Sequence, residues 1–144
     1  MKQGRAEAYY RTEHADGRPI LTSGDVDSFI DDLLGGSDSE NMAELHSLDR
    51  PLLASGFPDH EFLVGVDKEL QVGVLSFMDE TGNLVSLGDT EGRGSVSYFI
   101  VENGTEFPDR SEIPISLVRQ AVKEFLTSGG QRPTFIQWQE PEIW

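Results

Sequence analysis

Three histidines, no cysteine and 26 carboxylates are the groups from which acid–base or metal chemistry in this chain would have to be built. His14, His46 and His60 lie far apart and in no metal-ligand spacing such as HxxxH, so each is expected as an ordinary surface or loop residue. No metal or other cofactor is expected. The absence of cysteine excludes disulfides and thiolate zinc sites and is compatible with a reducing compartment. Gly92-Arg93-Gly94 lacks the length and the following Lys-Ser/Thr of a phosphate-binding loop and reads as a turn. No serine sits in a GxSxG elbow. Acid pairs such as Asp31/Asp32 and Asp79/Glu80 arise from abundance, and nothing in the spacing sets two carboxylates across a cleft for paired acid and base roles. The residues therefore point away from an enzyme and towards a protein that acts by binding.

The charge says what kind of partner to expect. With 26 Asp plus Glu against 11 Lys plus Arg, the formal net charge is -15. Such a field repels phosphate backbones and anionic membrane surfaces, which disfavours direct nucleic-acid or membrane binding and favours a basic partner. Acidity for solubility alone is the plainer reading, but the acids are clustered. No Lys or Arg interrupts the interval between Arg18 and Arg50, which holds Asp25, Asp27, Asp31, Asp32, Asp38, Glu40, Glu44 and Asp49. A second such interval, Lys68 to Arg93, carries Glu69, Asp79, Glu80, Asp89 and Glu91. The first twenty residues are charged throughout, and no stretch approaches the ~20 apolar residues that span a bilayer, so a soluble cytoplasmic protein is the default.

The elements that must position these acids are legible from periodicity. Val118, Ala121, Val122, Phe125 and Leu126 form one apolar helix stripe over 115–127, ended by Gly129 and Gly130, with Pro133 preventing its resumption. The strand-forming run 134–138 is expected to fold back onto that helix and to join the sheet that the helix covers. A second stripe, Val26, Phe29, Ile30, Leu33 and Leu34, predicts a helix capped by Ser23 or Asp25 and stopped by Gly35 and Gly36, with Asp27, Asp31 and Asp32 on its outer face. Residues 4–11 and 41–48 read as strands, 12–23 and 50–59 as connections. From Glu61 the chain alternates in short runs, 61–66, 70–78, 84–87 and 95–101, and Asn103-Gly104 is a type I′ hairpin dipeptide. At 144 residues and 37% hydrophobic content the expectation is one α+β domain over 1–144, an antiparallel meander packed by two main helices.

Several of these pieces, in this order, resemble a known family. Gly82-Asn83-Leu84-Val85-Ser86-Leu87-Gly88, Tyr98, the helix ending Glu124-Phe125-Leu126, Gly129-Gly130, Arg132-Pro133 and Trp138 are similar to the deaminase-toxin immunity proteins of bacterial polymorphic toxin systems, in particular the first-numbered immunity family. Val26-Asp27-Ser28-Phe29 and the segment 59–66 fit as well. The resemblance implies a small α+β protein that binds and neutralises a cognate, basic deaminase toxin by covering its substrate face or active site. An acidic nucleic-acid mimic that inhibits a basic nuclease, a generic interaction module and a small enzyme are the alternatives. Contact residues are expected among loop acids on a rigid scaffold: Asp89 and Glu91 in the glycine-rich loop 88–94, and Asp79 and Glu80 in the turn before it. Asp31 and Asp32 form the competing site. Arg132, Pro133 and Trp138 are assigned to structure, with Arg132 near the carbonyls at the helix end.

Overall fold

In the computed structural model, which describes residues 4–11, 17–88 and 92–141, both predicted helices form where their apolar stripes place them. Helix α1 spans Ser23–Leu34 and buries Val26, Phe29, Ile30 and Leu33. Its cap is Thr22, one residue before the expected Ser23, and Asp25 is the reciprocal member of a capping box. The Asp25 N–H donates to Thr22 Oγ1 at 3.0 Å and the Thr22 N–H donates to Asp25 Oδ2 at 3.1 Å, which satisfies two amides that the helix start leaves without partners. Helix α2 spans Ile115–Thr127 and buries Val118, Ala121, Val122, Phe125 and Leu126. The carbonyl of Gly130, beyond its end, is held by Arg50 at 3.0 Å, while Arg132 is exposed.

The architecture is α+β. The strands are β1 (Ala6–Tyr9), β2 (Arg18–Ile20), β3 (Met42–Ser47), β4 (Glu61–Asp67), β5 (Val72–Asp79), β6 (Gly82–Leu87), β7 (Val96–Ile100), β8 (Asn103–Phe107), β9 (Ile113–Pro114) and β10 (Gln137–Gln139). Eight of them form one antiparallel sheet in the order β10-β6-β5-β4-β3-β1-β2, with β9 also paired to β5. Successive strand residues face opposite sides of a sheet, so β4 sends Phe62, Val64 and Val66 towards the helices and Leu63 the other way. The main core therefore lies between the sheet and the two helices, where the Phe125 and Phe62 rings sit 4.7 Å apart. Trp138 packs at its margin, its indole N–H donating to the Pro133 carbonyl at 2.9 Å.

Several expectations about the strands change. The run 95–101 does not extend the meander: β7 pairs only with β8, and this hairpin covers the opposite face of the sheet, closing a second core of Met42, Leu63, Val74, Val85, Val96, Tyr98 and Phe107. Its turn is Val101-Glu102, with φ of 44° and 70°, and not Asn103-Gly104, which begin β8. The register is set from outside the hairpin. The Phe99 N–H donates to Asn41 Oδ1 at 2.8 Å, the Asn41 N–H to the Phe99 carbonyl at 3.0 Å and the Glu102 N–H to the Ser39 carbonyl at 2.8 Å. Gly104 then lies opposite Phe99, whose ring would be 2.7 Å from any Cβ there. The C-terminal strand joins the sheet as expected, but over different bounds: β10 covers Gln137–Gln139 and pairs with β6 at the sheet edge, Trp138 opposite Ser86. The connection 12–23 contains β2, whose Arg-Pro-Ile has no alternation to reveal it.

Candidate partner-binding surface

The acids on α1 are matched by cations on α2. Arg119 Nη1 lies 3.1 Å from Asp27 Oδ1 and its Nη2 2.5 Å from Asp31 Oδ1, and Lys123 Nζ lies 3.1 Å from Asp27 Oδ2. The hydrogen bond from Lys123, with Arg119 beside it, holds the Asp27 carboxyl below the usual range. Asp32 is bound by Arg18 and accepts the Tyr10 hydroxyl at 3.0 Å. The outer face of α1 thus carries ion pairs to α2 and to β2, and Asp31 and Asp32 enter any contact already partnered.

At one end of the sheet, where β3 and β5 finish and β4 begins, Asp79 and Glu80 stand beside a denser arrangement. Arg50, with a side chain only 11% exposed, reaches Asp59 Oδ1 at 2.9 Å, Asp79 Oδ2 at 3.5 Å and the Gly130 carbonyl. Asp79 Oδ1 also accepts the Thr81 N–H at 2.9 Å and the Thr81 hydroxyl at 2.6 Å. Burial would raise the Asp79 carboxyl, but these hydrogen bonds and Arg50 hold it below the usual range. Glu80 is exposed. Asp89 and Glu91 lie outside the described residues.

His60 is part of this arrangement: expected as an ordinary surface or loop residue, it lies in the connection before β4 but is buried. Its side chain is 1% exposed, against Phe77 and Phe125. The Nδ1–H donates to Asp59 Oδ1 at 2.9 Å and Nε2 accepts the Ser47 N–H at 2.8 Å, an assignment that requires the neutral ring. Burial pushes the His60 pKa below its ordinary value, in keeping with that state. His46 is partly buried too, its Nε2 3.2 Å from Glu44 Oε2. His14 lies outside the described residues. Beside His46, Glu61 is pushed up to about 7, first by burial and then by the charge of Glu44, while the hydrogen bond to His46 holds Glu44 down. Of the two carboxyls, Glu61 is the one pushed towards holding its proton.

From this end the chain projects the loop 51–58. It is a closed knuckle: the Leu53 N–H donates to the Phe57 carbonyl and the Gly56 N–H to the Leu53 carbonyl, both at 2.8 Å, and Leu52 and Pro58 form a bridge. Gly56 takes φ of 88°, where a Cβ would be strained. The knuckle leaves Leu52, Leu53 and Phe57 in solvent, 64%, 52% and 70% exposed. Large apolar residues between two prolines were its signal in the sequence, and reading the stretch only as a connection passed over it.

Chemically the arrangement offers recognition. Among the described residues no group of three or more His, Asp or Glu is placed to hold a metal ion. A cleft of about 380 Å³ lies between the C-terminal end of α1, the β4–β5 turn and β7. There Arg93 is fixed on Glu112 at 2.8 Å and on Asp67 at 3.3 Å. No helix among the described residues is long and apolar enough to cross a membrane. The family model described as Immunity protein Imm1 matches residues 14–140, most of the chain. No curated protein matches it.

Proposed function

The chain belongs to the Imm1 family of immunity proteins, and on that premise we propose that it neutralises a cognate nucleic-acid deaminase toxin by stoichiometric occlusion of the toxin's basic substrate face. The observation that carries the reading is the net charge of -15. A toxin that acts on bases must attract a polyanion, so its substrate face is basic, and an acidic inhibitor is drawn to that same face. Occlusion requires no reaction by the inhibitor, only a surface that stays folded while it covers the pocket. This is a binding role for a non-catalytic protein in the cytoplasm of the producing cell.

The contacts are proposed among the loop acids. Glu80, exposed beside the Arg50–Asp59–Asp79 network, and the loop acids Asp89 and Glu91 act in the rim; Asp79 acts by holding the turn that presents Glu80. Asp31 and Asp32 contribute less, because Arg119 and Arg18 already neutralise them. Co-expression with the toxin domain encoded beside this chain tests the reading. The expected result is a purified 1:1 complex with no deaminase activity on DNA or RNA. A neighbouring toxin that cleaves nucleic acid and forms the same complex would replace the deaminase with a nuclease, and failure to form any complex would refute the proposal.

A further inference from the structure

Leu52, Leu53 and Phe57 are among the most exposed large apolar side chains of the described residues, and they come from a six-residue span. Scattered single exposures are ordinary; three on one projecting loop are not. Nor is the loop loose. Its two internal backbone hydrogen bonds close the knuckle, and Arg50 fixes its base to Asp59, to the β5–β6 turn and to the carbonyl after α2. A segment already held in one shape loses little freedom when it is bound. The charge at the base selects the occupant. Arg50 faces two carboxylates, Asp59 and Asp79, with exposed Glu80 beside them, so the knuckle rises from a negative collar. A second copy of this chain carries the same -15 and is repelled, and an anionic membrane is repelled likewise. A protein with an apolar pocket inside a Lys/Arg rim is the complement.

We propose that the 51–58 knuckle is the apolar anchor of the complex, inserting Phe57 and Leu53 into the toxin's substrate cleft while the exposed Glu80 at its base meets the cleft's basic rim. This rests on the functional reading above and adds to it the point of insertion. A few buried apolar or aromatic anchors carry most of the affinity of such interfaces, and surrounding charges mainly set the rate of encounter.

The test compares the full chain with the Leu53→Ser/Phe57→Ser double variant, with Phe57→Ala, and with Leu70→Ser. Leu70 is a matched control, 53% exposed but in the turn at the opposite end of β4. Kd for the purified toxin domain, Tm and the mass of the free protein are measured for each. The double variant is expected to weaken binding by ~30-fold or more and Phe57→Ala by ~10-fold, with Tm unchanged and Leu70→Ser binding as the parent does. Knuckle variants that bind within twofold of the parent overturn the anchor while leaving toxin binding intact, as does an equal loss in Leu70→Ser. A parent that forms a dimer broken by the knuckle variants makes the loop a self-interface and overturns the proposal. A parent that does not bind the toxin refutes the functional reading itself, and the anchor falls with it.

Discussion

Glu61 and His60 are neighbours in the chain, and burial shifts them in ways that tilt the pH profile of stability in opposite directions. The folded pKa of Glu61, about 7, lies above its ordinary 4.5, so the folded state binds the extra proton and stability is lost as pH rises from about 4.5 through 7. His60 is depressed below 6.5, so there the unfolded state binds the extra proton and stability is lost as pH falls below 6.5. Glu61→Gln keeps the shape and removes the ionisation. It is expected to stabilise the protein at pH 8 by about 1–2 kcal/mol after allowance for solvent screening, a Tm gain of roughly 3–6 °C that shrinks as pH falls towards 4.5. Thermal melts across that range check this, and a gain independent of pH would place its origin elsewhere. Neither shift was legible in the sequence. An Asp-His-Glu run at a loop end carries no mark of burial; the burial comes from Phe77 and Phe125, which only the fold brings to His60.

At the scale of elements, what repeats locally was legible and what depends on distant partners was not. The stripes of α1 and α2 and the meander β4-β5-β6 follow from periods of 3.6 and 2. Phe125 is fully buried among Phe62, Phe77 and His60. Phe125→Ala is expected to cost about 3–5 kcal/mol in chemical denaturation, and an unchanged midpoint would contradict the packing. The strand β7 was legible, but its sheet was not, because apolar residues on both its faces suit a meander as well as a covering hairpin. Its turn places a β-branched residue, Val101, at φ of 44°, a conformation that asparagine tolerates far better. Val101→Asn is therefore expected to raise stability by about 0.5–1 kcal/mol, readable as a shifted denaturation midpoint. A loss would mean that Val101 packing outweighs its backbone strain. The acids of α1 were likewise legible as positions, while their neutralisation was not: Asp31 meets Arg119 across 88 positions and Asp27 meets Lys123 across 96.

For the whole molecule, the proposed steering by the net charge of -15 is open to a direct kinetic test. Reversing Glu80, Asp89 and Glu91 to Lys is expected to slow association with the toxin about tenfold or more at low salt and to reduce the salt dependence, with Tm unchanged. Reversing Asp31 and Asp32 instead breaks pairs with Arg119 and Arg18 and is expected to lower stability by about 1 kcal/mol while association changes less. Stopped-flow association at two ionic strengths and thermal melts distinguish the loop acids from the helix acids. If the helix variant alone fails to associate, the docking surface lies on α1. Stoichiometric occlusion is tested most directly by titrating a fixed concentration of active toxin, well above the Kd, with the purified chain. Activity is expected to fall in a straight line and reach zero at one equivalent, because each inhibitor covers one site. Complete inhibition at a small fraction of an equivalent, or full activity beyond several equivalents, would contradict it.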